Sequence, residues 1–353
     1  MKDKMNALVM HAHNDYGIEE VAVPKPAFKE VLVKIKAVAI CGSDPTLLTG
    51  GFPFWPPQFP FIPGHEFSGE VVALGEGVTE FKVGDRVAGE AHCGCGTCDN
   101  CKRGMYNLCL NHGKADTGHR HYGFTANGAY AEYNAYNVKA LSKIPDNVTY
   151  EEASLADTAG TALHMIRLTG VAPGTYSLVI GPGPIGIFAM QIAKAMGSKT
   201  IMVGRRDRLK LAEKMGVDYA VNYEECDDVV GKVREITGGL GATQVFESAG
   251  SDAAFQQCIY CAAKDGKVAV VSLPKDDLHM IPVKTLVMNQ IHLLGSRANP
   301  NAGKDVLQMM SNGMIDAKSM ITHSFPLVEF NKACDIFKNR LDGAMKVVVK
   351  PND

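Results

Sequence analysis

SLVIGPGPIGIFAMQIAKAM, residues 177–196, can be read in two ways. Its apolar length approaches that of a membrane helix. Glycines at 181, 183 and 186 and prolines at 182 and 184 interrupt it near the start, however. That punctuation favours strand, tight turn and buried helix. The turn GPGPIG, from Gly181 through Gly183, Pro184 and Ile185 to Gly186, carries the G-x-G-x-x-G spacing. Glycines so placed allow a sharp turn and let a pyrophosphate approach the helix N-terminus. Pro184 sits just inside the helix, where a missing N–H costs nothing.

Outward from this turn, apolar strand candidates recur: TIMV (200–203), YAV (219–221), QVFES (244–248), KVAVVS (267–272) and HLLGS (292–296). Helical stretches such as RLKLAEKM (208–215) separate them. Strands alternating with helices imply a parallel, doubly wound sheet over 155–296. At the end of TIMV, where an NAD site would usually place a carboxylate for the ribose, the chain has Gly204-Arg205-Arg206. Two guanidiniums suit a 2′-phosphate, so NADP is expected, with NAD the alternative if Asp207 serves the hydroxyl instead.

The first half, residues 1–154, has a different grammar. VLVKIKAVAI (31–40), SGEVVAL (68–74) and DRVAGEA (85–91) are short strands parted by Gly and Pro, as in a small antiparallel β domain or barrel. Residues 297–353 hold two helical stretches and a last strand, MKVVVK, expected as an edge segment returning to the first domain. With 353 residues, two domains are expected. A balance of 36 basic and 38 acidic residues, net −2, argues against nucleic-acid or membrane-surface partners. The N-terminus shows no signal peptide, and scattered cysteines suit a reducing cytoplasm.

Within a lobe spanning 93–112, CGTCDNCKRGMYNLC places Cys95, Cys98, Cys101 and Cys109 at C-x2-C-x2-C-x7-C. Thiolates so spaced can converge on one tetrahedral ion, and zinc suits a closed thiolate set. Disulfides fit poorly in a chain without secretion signals, and iron–sulfur spacings differ in detail. A closed site does no chemistry, so any reaction lies elsewhere.

The segment GHEFSGEVVALGEGV (64–78), with CGSD at 41–44, the cysteine lobe and the glycine fingerprint, resembles the zinc-containing medium-chain alcohol and polyol dehydrogenases over essentially the whole length. The resemblance implies a GroES-like β-barrel catalytic domain beside a Rossmann domain, and a catalytic zinc besides the structural one. Its ligands would be Cys41, His65 and, in SLADTAGTALH, Asp157. Glu66 matches a glutamate able to approach the metal, and Asp44 a carboxylate that orients the histidine. The implied reaction is metal-assisted hydride transfer between an alcohol and a nicotinamide, with Ser43 the hydroxyl that bonds the substrate oxygen. Where many relatives end a proton relay with histidine, this chain has Thr46. His119 and His121 in TGHRHYG are candidate substitutes, although such histidines are common on surfaces.

GGFPFWPPQFPFIP (50–63) interleaves aromatic rings with prolines, and Trp55 is a candidate wall for the substrate. Arg297 falls where polyol and polyol-phosphate relatives have an arginine, and it would hold a hydroxyl-rich or anionic substrate or the chain's own backbone. Relatives imply a homodimer or homotetramer. Two other readings remain: a metal-free quinone or enone reductase on the same fold, and a non-catalytic zinc-stapled nucleotide-binding protein. Metal content separates them, with about two, none and about one zinc per chain respectively.

Overall fold

Six parallel strands form one sheet in the order Tyr219–Asn222, Lys199–Gly204, Tyr176–Ile180, Ala242–Glu247, Ala262–Val270, His292–Gly295. The chain starts at the middle strand, winds outward one way and then the other, so the order reverses beside Tyr176–Ile180. Leu178, Val179, Ile201 and Met202 are wholly buried, as a parallel sheet covered on both faces requires. The helix Pro184–Ala195 is buried along most of its length, which explains its largely apolar sequence. Among the described residues no helix is long and apolar enough to cross a membrane.

This computed structural model describes residues 2–51, 58–274 and 280–353. Trp55 lies outside them. The chain divides into two compact units. The nucleotide-type sheet belongs to Thr161–Arg297 with Asn312–Asp316, and the other unit comprises Met1–Gly160, Ala298–Ser311 and Ala317–Asp353.

In the second of these units a sheet runs in the order Ile321–Pro326, Lys346–Lys350, Glu30–Ala39, Glu66–Leu74, Arg86–Gly89, Leu141–Lys143, with Tyr133–Asn137 also pairing to Glu30–Ala39. Register shifts between Glu30–Ala39 and Glu66–Leu74 bend the central pair and increase its twist. Val33, Ile35, Val38, Phe67 and Tyr136 are fully buried beneath it, and an aliphatic side chain so placed contributes about 1.5–3 kcal/mol.

Two features differ from the sequence reading. The final strand is not at an edge: Lys346–Lys350 lies between a parallel neighbour, Ile321–Pro326, and an antiparallel one, Glu30–Ala39. Its side chains are buried on both faces, so its apolar run reads the same as an edge segment's. The second difference is that His119 and His121 are not surface residues, being only 2% and 3% exposed. A two-stranded bridge, His92–Cys93 with Arg120–His121, folds them inward.

Candidate active site

Cys41 follows the strand Glu30–Ala39, and the short helix Ser43–Leu48 begins two residues later. His65 precedes the strand Glu66–Leu74, whose register sets Glu66 opposite Ala39. Antiparallel pairing therefore brings Cys41 and His65 together from distant sequence. Ligand atoms of Cys41, His65 and Glu66 all lie within 4.8 Å of one another.

Asp44 is buried beneath them. Its Oδ2 accepts hydrogen bonds from the Cys41 backbone N–H at 2.9 Å and from the Tyr130 hydroxyl at 2.7 Å, while Oδ1 is 3.6 Å from Nδ1 of His65. Burial raises the Asp44 carboxyl, and His65 and the two donors partly offset this. Burial alone would lower the His65 imidazole. The Cys41 thiolate, which also hydrogen-bonds it, together with Asp44 and Asp157, instead holds it up at about 10. Negative charge thus converges on one buried position, which is the environment a divalent cation neutralises. Sulfur, imidazole and carboxylate donors are those zinc accepts.

Asp157, in the first turn of the helix Ala156–Thr169, falls outside the converging set. Its Oδ1 accepts from Ala91 N–H at 3.3 Å and from the Asn299 amide at 3.0 Å, and burial lifts its carboxyl to about 6. Glu66 is held by a fully buried Lys346, whose ammonium donates to it and, at 3.1 Å, to the Ile40 carbonyl. Ser43 Oγ is buried without a hydrogen-bond partner among the described residues. Thr46 is exposed, its hydroxyl turned back toward the Gly42 carbonyl at 3.4 Å.

In the cysteine lobe, Sγ atoms of Cys95 and Cys101, and of Cys98 and Cys109, are 3.9 Å apart. That spacing is far beyond a disulfide bond and matches the edge of about 3.8 Å expected for four thiolates around zinc. Burial would raise the Cys95 thiol, but donors from Thr97, Cys98 and Asn111 bring it down to about 5. Tyr106, inside the lobe, donates to Glu90 at 2.6 Å and accepts from Asn301 N–H at 2.7 Å.

At the nucleotide-type turn, Gly181 has φ of 108°, and a Cβ there would press on Ser248 and Ala249 backbone at 2.9 Å. A Cβ on Gly186 would collide with the Gly181 carbonyl, so strand and helix meet only through glycine. Gly183 is the extended N-cap of the helix, with Pro184 and Ile185 in its first turn. After Gly204, Arg205 and Arg206 both reach Glu224, at 2.7 and 3.0 Å. Asp207, the alternative ribose partner, is exposed and lies 3.6 Å from Lys210. Arg297 is half-buried after the strand His292–Gly295. His119 accepts from Gly113 N–H at 3.2 Å.

Residues 27–146 match the alcohol dehydrogenase GroES-like domain family, and 184–312 match the zinc-binding dehydrogenase family. The sorbitol dehydrogenase of Bacillus subtilis is 34% identical over 99% of this chain and 98% of its own length. An alcohol dehydrogenase of Geobacillus stearothermophilus is 35% identical over 98% of each chain. Among solved structures, a zinc-binding dehydrogenase of Sinorhizobium meliloti bound to NADP superposes with a TM-score of 0.89 at 28% identity, covering 99% of this chain and all of that one (100%).

The chain belongs to the zinc-containing medium-chain alcohol and polyol dehydrogenases. It is therefore a zinc-dependent, NAD(P)-linked oxidoreductase.

Three residues of the dehydrogenase escaped the sequence reading. Lys346 was hidden in an apolar strand, although a lysine flanked by Met345 and Val347 is itself a signal of a buried partner. Tyr130 and Glu224 carried no motif. Each became visible only when the fold brought it to Asp44 or to the arginines.

Proposed function

We propose that this dehydrogenase interconverts a secondary alcohol or polyol and its ketone, with NADP(H) as the favoured cofactor. One observation carries the reading: the buried convergence of Cys41, His65 and Glu66 over Asp44. Cys41 and His65 would hold the catalytic zinc; the family resemblance makes Asp157 the third ligand, while Glu66, which converges with them but is tied to Lys346, would be the reserve donor. When bound, the zinc supplies Lewis acidity that eases loss of the alcohol proton.

The chain's own groups do the remainder. Asp44 fixes the histidine ring and keeps Cys41 in place through the backbone N–H. Ser43 Oγ accepts a hydrogen bond from the substrate hydroxyl and, as that proton moves to it, gives up its own. Thr46 cannot carry it further at neutral pH, so it leaves through water or the cofactor ribose. The turn Gly181–Gly186 seats the pyrophosphate. Arg205 and Arg206 take the 2′-phosphate, for which they must exchange Glu224. Arg297 and His119 are the substrate residues we assign, with Trp55, outside the described residues, a further candidate. Catalysis belongs to 1–154 with 297–353, and cofactor binding to 155–296.

The protein works as a homo-oligomer. Val283, Val287, Met288 and Leu293 are exposed on the last helix and outer strand of the nucleotide-type unit, an apolar edge unpaired among the described residues and suited to a second copy.

The deciding experiment measures initial rates of NADP⁺ and NAD⁺ reduction over secondary alcohols, polyols and polyol phosphates, with and without a strong chelator. Chelator-sensitive turnover of one class supports the proposal and names the substrate family. Absence of turnover with every alcohol, in protein carrying only one tightly held zinc, overturns it in favour of a nucleotide-binding protein.

A further inference from the structure

We infer that His92, His112 and His121 form a third metal site, sharing no ligand with the four cysteines or with Cys41 and His65, which takes a borderline divalent ion such as zinc, nickel or copper. The imidazole nitrogens of these residues lie within 4.8 Å of one another. Ring centroids are 4.2 Å apart for His92 and His121, 5.0 Å for His112 and His121, and 6.3 Å for His92 and His112.

The scaffold holds the set. His92 and His121 are direct cross-strand partners in the two-stranded bridge, so the ladder itself fixes their separation. His112 comes from the turn that follows Cys109, with its backbone N–H bonded to the Cys109 carbonyl at 3.2 Å. Nitrogens bound to one tetrahedral ion stand about 3.3 Å apart, so small ring rotations close the site.

The chemistry points the same way. His92 and His121 are 6% and 3% exposed. Neutral imidazole is the form that binds zinc, nickel and copper. Three such ligands leave one position open, unlike the closed four-thiolate lobe.

The site is separate from the catalytic pair but not remote from it. Phe124 stacks on His121 at 4.2 Å and meets the His65 ring at a tilt, 4.8 Å between centroids, so one phenyl ring touches both groups of ligands. A cation at the histidines would therefore share no ligand with Cys41 and His65. The inference goes beyond the dehydrogenase activity and does not depend on its substrate.

The test uses full-length protein without a polyhistidine tag, equilibrated with excess Zn²⁺, desalted and measured for metal per chain. About three equivalents are expected. His112→Gln, at the least buried of the three, should remove one equivalent while leaving the thiolate zinc in place. Its affinity at this site should fall more than about 100-fold, beyond the effect of losing an outer partner of a ligand.

Cu²⁺ paramagnetic resonance on the unaltered protein gives a readout that needs no variant. Coupling to three imidazole nitrogens is expected, whereas the Cys41–His65 position offers one. Two equivalents of zinc in the unaltered protein without three-nitrogen coupling would overturn the proposal. So would a His112→Gln protein that keeps the third equivalent and the copper signal.

Discussion

Replacing Lys346 with methionine should be among the most damaging single changes in the chain. Lys346 and Glu66 are each 2% exposed at the side chain, and the ammonium satisfies both the carboxylate and the Ile40 carbonyl. Methionine keeps the volume of the lysine but removes its charge and its donors. Glu66 is then a buried anion without its counter-charge, and breaking such a pair from one side costs about 3–5 kcal/mol. For a unit of this size that corresponds to a fall in melting temperature of about 6–20 °C. The assay is thermal unfolding of zinc-loaded protein followed by near-ultraviolet circular dichroism. The control is E66Q/K346M, in which the stranded charge is gone and about 1–2 kcal/mol should return. A loss under about 1 kcal/mol for Lys346→Met would refute the reasoning. So would a double variant no more stable than the single, because the cost would then not come from the uncompensated carboxylate.

Other consequences can be checked separately. Arg205→Asp should lower the ratio of kcat/KM with NADP⁺ to that with NAD⁺ by about 10- to 100-fold, the worth of one charge-assisted bond; an unchanged ratio would remove the arginine from cofactor choice. Ser43→Ala should cut turnover about 100-fold while cofactor affinity, followed by nicotinamide fluorescence, stays level; near-normal turnover would exclude the hydroxyl from proton transfer. Asp218 gives a pH test. Partial burial would raise its carboxyl, but Lys194 at 2.6 Å and the N–H and hydroxyl of Thr200 bring it below the ordinary value. A lowered acid stabilises the fold above its unfolded value, and that contribution is lost as pH falls through the folded value. Because the pair is partly solvated, Asp218→Asn should cost only about 1 kcal/mol at neutral pH, with the difference shrinking as pH falls below the ordinary aspartate value in urea unfolding.

The parallel sheet was legible because its signals are local. Tyr176–Ile180, the turn at Gly181–Gly186 and the helix after it are contiguous, and each strand announces itself by a buried apolar run. The four-cysteine lobe was legible for the same reason, since its ligands lie within fifteen residues. What the sequence withheld was long-range. The N-terminal hairpin, Lys4–Ala12 with Asp15–Ala22, mixes polar and apolar residues and was not expected. The interior position of Lys346–Lys350 depends on pairing across the whole chain, which no periodicity encodes. Cys41, Asp44 and His65 were named by motif and the fold brings them together, but the grip of Tyr130 on Asp44 spans 86 residues and left no trace. His92, His112 and His121 share no spacing that reads as a ligand set; cross-strand pairing of His92 and His121, not sequence distance, brings them together.

The ion pair between Glu66 and Lys346 also bears on how the protein is born. The two partners are 280 residues apart, and at about 5–20 residues per second a ribosome needs roughly 15–55 s to travel from one to the other. Glu66 must wait out that interval without its cation, whereas the four cysteines are complete early in it, once Cys109 is made. The nucleotide-type unit, made of the intervening chain, has its whole parallel sheet before Lys346 exists. Synthesis therefore separates the two features in time: the four cysteines share the chain long before Glu66 can meet Lys346.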